Sequence, residues 1–373
     1  MTTMTRRERM QAVVAHRRPD RTPAVLAARP EVDRALMRYY GVDSMKDVHR
    51  ILGTDGWAGA GVGIDWGDWL ERATGKLEGD FPYAGRQVIL HDDDLFEDEW
   101  GVIRRVGRDR KYVEWVSGPL VDADDPDACY IPAPEQLADD PELPRRIAAL
   151  KAADHWVSAG VAQPYKTAWE LRGMENLLAD YLLNPGFVDR LFDRICALYG
   201  EILARATAAG VDQINIGGDI AMQDRVIMGP GAFRRIDKPY LAAMIARCKA
   251  INPDVHVHIH SDGNLWSIMD DLIEIGFDII DPIQPECMEP AQVKRQYGDR
   301  IVLHGCGSLQ RTLPFGSVDE VRQEVVDLIR TCGYDGGLVL RVSNAIGFDC
   351  PVENVAAWFE TARDYRLEEA PDR

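Results

Sequence analysis

The chain has no cysteine pair at C-x-x-C spacing, no phosphate-binding glycine loop, no apolar run of membrane length and a shortage of positive charge. Each absence removes a class of protein. Seven cysteines (Cys129, Cys196, Cys248, Cys287, Cys306, Cys332, Cys350) are scattered through 373 residues in an odd number, which is the usage of a reducing cytoplasm and not of a disulfide scaffold. No apolar stretch nears the roughly 18–20 residues of a membrane helix, and residues 1–19 are too charged for a signal-peptide core. The glycine-rich stretch 53–67 (GTDGWAGAGVGIDWG) lacks both G-x-G-x-x-G and G-x-x-x-x-G-K-[ST] spacings, so it reads as a loop and not as a nucleotide cradle. Lys and Arg number 43 against 61 Asp and Glu, a net charge of −18. Such a surface repels nucleic-acid phosphates and anionic lipid. The expectation is a cytoplasmic protein whose partner is a small molecule, with no nucleic acid and no membrane, and with a homodimer left open.

What is present is enough apolar residue, 46% of the chain, for a full core. A helix is expected over residues 5–16, with Thr5 as N-cap and Met10, Val13 and Val14 at helical spacing. Alternation around residues 107–110 predicts a β-hairpin within 99–120, and the Pro- and Asp-rich segment 122–144 reads as a surface connector. Beyond residue 150, short apolar runs at 213–216, 255–259, 278–283, 301–303 and 338–342 alternate with amphipathic stretches at 186–209, 229–250, 265–275, 290–297 and 318–332. Strict β-then-α alternation with fully buried strands predicts a parallel sheet. The reading is an α/β protein, a single (β/α)8 TIM-type barrel over 1–373, with N-terminal helices, the hairpin insertion and the first barrel units in 1–150.

Each of these strands ends in a cluster that a core would not choose: Gly217-Gly218-Asp219, His260-Ser261-Asp262-Gly263, Gln284-Pro285-Glu286-Cys287, His304-Gly305-Cys306 and Ser343-Asn344-Ala345. In a barrel such points converge on the C-terminal face, where catalytic groups sit. His256, His258 and His260 alternate along one strand and share one side of it, with only His260 near the mouth. His260 and Asp262 make an H-x-D pair that either holds a divalent metal, with a thiolate, amide or water from a neighbouring strand, or is a buried His bonded to its own Asp. Cys306, flanked by glycines at a strand end, is a soft metal ligand or a nucleophile, or a packed thiol of the barrel layer. Asp219 reads as a substrate or proton-handling carboxylate, or as part of a turn. Asn344 and Ser343 read as hydrogen-bond donors to substrate, or as loop caps; Gln284 belongs to the same mouth. Upstream, Trp169, Glu170 and Arg172 follow an expected strand end at Pro164 and Tyr165, where Glu170 is a pocket acid and Arg172 a substrate anchor, or the two are a salt-bridged helix start. The acidic runs at 92–94, 139–142 and 368–373 read as solvated surface.

The runs GGDIAMQ (217–223), HSDGNLWSIMDDLIEIGFDIID (260–281), PIQPECM (282–288), TLPFG (312–316) and CPVENV (350–355) resemble the uroporphyrinogen decarboxylase superfamily. With RRERMQAVVAHRRPDRTP (6–23) and Trp100-Gly101-Val102, they are similar to its branch of corrinoid:coenzyme M methyltransferases. The resemblance implies a (β/α)8 barrel with a deep C-terminal cleft. In those methyltransferases an H-x-C pair and a distant Cys bind zinc; here His260 matches the His, Asp262 replaces the first Cys, and Asn344 stands at the second. The porphyrinogen decarboxylases instead use an arginine-rich RQAGR-like segment and a C-terminal His, neither of which this sequence has. An octacarboxylate without that basic floor would leave charges unpaired, which argues against uroporphyrinogen III itself.

Two functions follow. One is a metal-assisted methyltransferase or demethylase for a small methylated compound, with zinc or another divalent metal, and a corrinoid on a separate protein. In it His260 and Asp262 hold the metal, Asp219 and Asn344 orient substrate, and Glu170 or Asp219 moves the proton. The other is a cofactor-free decarboxylase of a small carboxylate anchored by Arg172 or Arg341. A non-catalytic binding barrel is the third reading.

Overall fold

Seven strands run parallel in one sheet, in chain order: Trp57–Gly59, Trp156–Ala162, Gln213–Gly217, His256–His260, Ile279–Asp281, Val302–His304 and Leu338–Val339. The computed structural model describes residues 3–79 and 83–366, so the tail at 368–373 that reads as solvated surface lies outside the described residues. An eighth segment closes the ring. Val25 N donates to Leu340 O and Leu340 N to Pro23 O, both at 2.8 Å, while Asp55 N donates to Ala24 O at 2.7 Å. Residues 23–25 therefore lie between the last strand and the first, which makes the sheet the expected eight-membered barrel.

The seam is held by charge as well as by backbone. Asp55, 1% exposed, accepts from Ala24 N at 3.1 Å and from Arg21 Nη1 at 2.6 Å, and also pairs with Arg9. Arg9 belongs to the helix Arg6–Val14, whose N-terminus is closed by a reciprocal Thr5 and Glu8 capping box; the first orphan N–H groups are thereby satisfied. That helix presents Met10 and Val13 to the bottom of the barrel, where they join Val25, Trp156, Ile279, Val302 and Val339 in an apolar cluster.

Strand periodicity divides the remaining residues. Ile214, Ile216, Val257, Ile259 and Leu303 join the large core that includes the residues of the surrounding helices. The alternate positions carry Gln213, Asn215, His258 and His260. Four helices are observed close to their expected spans, Pro185–Ala208, Pro290–Tyr297, Val318–Cys332 and Met269–Glu274. The expected helix over 229–250 is divided at Ile236 into Pro230–Arg235 and Asp237–Ile251.

Two expectations change. The glycine-rich stretch 53–67 is not all loop, because Trp57, Ala58 and Gly59 pair in register with Trp156, Val157 and Ser158; the neighbouring strand overrides the local cost of glycine. The expected hairpin, Ile103–Val106 with Val113–Ser117, is the end of a five-stranded antiparallel sheet that also contains Gly75–Lys76, Gln87–Leu90 and Leu95–Glu97. Its root is tied to the barrel by Trp115 Nε1 donating to Glu170 O at 2.8 Å. Its tip reaches the loops beyond the seam, where Lys111 O accepts from Arg29 Nη1 at 2.7 Å and Lys111 Nζ sits 3.1 Å from the centre of the Phe348 ring. No helix among the described residues is long and apolar enough to cross a membrane.

Candidate active site at the barrel mouth

Asp281 and His260 end adjacent parallel strands and are register partners, which brings their side chains together at the C-terminal end. His260 Nδ1 lies 2.7 Å from Asp281 Oδ2. On the other side Arg341 Nη1 donates to Asp281 Oδ2 at 2.8 Å and Oδ1 at 3.1 Å. Burial pushes the Asp281 carboxyl up, but His304, Arg341 and the neighbouring imidazoles outweigh it and hold the group well below the usual carboxylate range. Burial likewise works against a charged His260, and the Asp281 contact overrides it, so that the His260 pKa is raised above 6.5. His304, fully buried, goes the other way, down to about 4, because desolvation exceeds the pull of Asp281.

Asp281 is the residue that sequence reasoning missed. With its carboxylate accepting from Nδ1–H, the ring of His260 is fixed and Nε2 keeps a free lone pair. That atom faces Asp262, whose Oδ1 lies 3.9 Å away. The expected H-x-D contact is thus an approach across open space, and the true hydrogen-bond partner of His260 comes from the next strand. A carboxylate as the last residue of a buried apolar strand, Ile279-Ile280-Asp281, was the available signal.

Asp219, His260 and Asp262 each bring one ligand atom to within 4.8 Å of the others. Asp262 is oriented from two sides: Asn344 Nδ2 donates to its Oδ2 at 2.6 Å, and its own N–H donates to Asp219 Oδ1 at 2.9 Å. Its Oδ1 is buried with no hydrogen-bond partner among the described residues, and burial together with the Asp219 charge raises the Asp262 carboxyl above its ordinary value. An orphaned carboxylate oxygen, a second carboxylate and an imidazole nitrogen left open are what a divalent cation fits. Asp219, His260 and Asp262 are thus a group that could hold a metal ion.

Cys306 does not join this group. It is 1% exposed and lines, with Glu324 and Leu328, a cavity of about 1000 Å³ among the helices Pro290–Tyr297 and Val318–Cys332 outside the barrel. Burial pushes its thiol well above the ordinary range, so it is a packed thiol of the helix layer. Arg172 is also spent: Nε pairs with Asp180 at 2.8 Å, and Nη1 donates to Leu120 O and Ala123 O, each at 2.7 Å. It ties the connector to the barrel instead of anchoring a substrate. Glu170 lies between Lys166 Nζ at 2.9 Å and Arg104 Nη2 at 3.1 Å, and Trp169 packs edge-on against Trp115. Glu170, Lys166 and Arg104 line a pocket with Tyr83, Asp98 and Tyr199 beside the antiparallel sheet. Gln284 Oε1 accepts from Gly263 N at 3.0 Å, steadying the loop that carries Asp262, and buried Ser343 donates its N–H to Gly307 O at 3.0 Å. Arg341 is committed to Asp281.

A closed (β/α)8 barrel with its titratable groups gathered at the C-terminal rim defines the class of scaffold on which enzymes place their chemistry. The uroporphyrinogen decarboxylase (URO-D) family model matches residues 113–365, and the chain belongs to that family. Among curated relatives, the uroporphyrinogen decarboxylase of Salinibacter ruber is 28% identical over 150 residues, 40% of this chain and 40% of that one. That of Hordeum vulgare is 24% identical over 139 residues, 37% of this chain and 40% of the relative. The chain thus spans about two fifths of the length of the curated relatives it matches. A methyltransferase from Methanosarcina mazei shares the fold, with a TM-score of 0.65 at 17% identity over 97% of this chain and 99% of that one.

Proposed function

We propose that this chain is a metal-assisted methyltransferase or demethylase acting on a small methoxy, methylthio or methylamine compound, with a corrinoid on a separate protein as methyl carrier. The observation that carries the reading is the convergence of Asp219, His260 and Asp262, with Asp262 Oδ1 unpartnered. His260, Asp262 and Asp219 would hold a divalent ion, which supplies Lewis acidity toward the heteroatom that bears the methyl group. Asp281 fixes the His260 ring, Asn344 fixes the Asp262 carboxylate, and Gln284 steadies the loop between them. Asp219, exposed at the rim, would be the outermost of the three ligands; Glu170 is engaged by two cations and drops out as the proton carrier.

The test is elemental analysis of protein purified without chelator, beside a His260→Ala variant. The variant is expected to contain one equivalent less of divalent metal per chain; equal and negligible metal in both ends the reading. The uroporphyrinogen decarboxylase relatives favour a second reading, a cofactor-free decarboxylase of a small carboxylate. It needs a cationic anchor, and both arginines expected to serve, Arg172 and Arg341, are committed to Asp180 and Asp281. CO2 release from a candidate acid, unaffected by strong chelators, would put it first.

A further inference from the structure

Below the rim, the barrel interior holds polar groups that the mouth does not use. His258 precedes His260 by two positions and shares its side of the strand; it is 4% exposed, and His304 is fully buried. All four ring nitrogens of these two residues are buried with no hydrogen-bond partner among the described residues. Buried polar atoms left unmatched in this number are rare and ask for an occupant.

The nitrogens are not scattered. His304 Nδ1 stands 3.1 Å from Asp281 Oδ1, and His258 Nε2 stands 3.5 Å from Asp281 Oδ2, yet neither pair has the direction of a hydrogen bond. Close approach without alignment is how two ligands of one ion stand. At bond lengths of about 2.0–2.1 Å, neighbouring ligand atoms of a tetrahedral site are about 3.3 Å apart. One atom each from His258, Asp281 and His304 lies within 4.8 Å of the other two. The Trp57 ring packs edge-on against both imidazoles, with centroids 5.7 and 5.1 Å away, and so limits their rotation.

We propose that His258, Asp281 and His304 form a second, enclosed metal site inside the barrel, taking a divalent ion of borderline hardness such as zinc. The donor set selects the ion. Arg341 already offsets the charge of Asp281, so a hard cation that needs net negative charge gains little, and binding rests on two neutral imidazole lone pairs. The three donors come from three consecutive strands, His256–His260, Ile279–Asp281 and Val302–His304. An ion there would cross-link them and brace the carboxylate that orients His260. Asp281 would be a ligand of the interior site and, through His260, a positioning residue for the rim site; the two ligand sets have no residue in common.

Zinc is the probe. Wild-type protein crystallised from zinc-containing buffer is expected to show two anomalous peaks, one at the rim and one among His258, Asp281 and His304. In solution, two equivalents of zinc are expected per chain, falling to one in His304→Ala and in His258→Ala, and to a different one in His260→Ala. A wild-type crystal with a peak at the rim alone, or with none, overturns the proposal, and it needs no variant to fold. An interior peak with an empty rim would support this site while removing the reading given under Proposed function, so the two fail separately.

Discussion

The two ends of the barrel are made by the same eight strands and spend their inward positions in opposite ways. At the N-terminal end, Met10, Val13, Val25, Trp156, Ile279, Val302 and Val339 fill the bore with apolar side chains. At the C-terminal end the inward and flanking positions are Asp219, His260, Asp262, Asp281, Arg341 and Asn344, nearly all held by one another. One end contributes stability through burial, while the other contains charge that burial alone would expel. The difference teaches that the cost of the mouth is offset at a distance, by the plug and by the helix layer, which leaves the rim free to change its ligands without changing the fold.

Predictions follow from trying to separate the ends. His260→Ala should lower turnover by at least about 10²-fold, since even outer-shell changes around metal ligands cost about 10- to 100-fold, while moving the melting temperature little. Trp156→Ala should do the reverse. The ring is 3% exposed and its Nε1 donates to Gln213 Oε1 at 2.9 Å, so its loss should cost about 3–5 kcal/mol in denaturant unfolding, with metal per folded chain unchanged. Asp281→Asn should weaken rim metal affinity about 10- to 100-fold, read by chelator competition, because the amide no longer dictates which His260 nitrogen stays open. Asn344→Ala should cost less, about tenfold or under in the same competition, since it removes one neutral hydrogen bond to the Asp262 carboxylate and leaves all three ligands in place.

A buried carboxyl in the helix layer, belonging to neither group, supplies the control. Asp237, 2% exposed, is pushed up from 3.8 to about 7 by burial, although Tyr181 OH donates to both its oxygens. The folded state therefore holds the proton more tightly than the unfolded state. Its contribution is fully present below pH 3.8, is lost as pH rises, and is exhausted above about pH 7. Asp237→Asn should flatten that slope, so the melting temperature of the variant relative to wild type should be higher at pH 8 than at pH 5, with rim metal binding unaltered.

Most of the barrel was legible because buried parallel strands and amphipathic helices have distinct periods, and the runs at 213–216, 301–303 and 318–332 show them cleanly. Trp57–Gly59 and residues 23–25 were hidden because their strand character exists only in pairing with Trp156 and Leu340. The mouth was half legible. His260, Asp262, Asp219 and Asn344 stand at strand ends and do meet, since strand ends converge in any closed ring. Asp281 carried a signal as the carboxylate that ends a buried apolar strand, but its role is defined by a neighbour 21 positions away and so was missed. Cys306 and Arg172 were misplaced for the matching reason: residue type suggests a ligand or an anchor, and only packing shows that the thiol faces helices and that the guanidinium is saturated by Asp180 and backbone carbonyls.

The seam between residues 23–25 and Leu340 has a consequence for biosynthesis. The barrel segment at residues 23–25 pairs, on one of its sides, with Leu340, so the ring cannot lock until some three hundred further residues have emerged from the ribosome. During that interval the unpaired border of the nascent sheet is available to other chains, and a nascent chain stalled before Leu338 should be a substrate for chaperones, however well its inner strands have assembled.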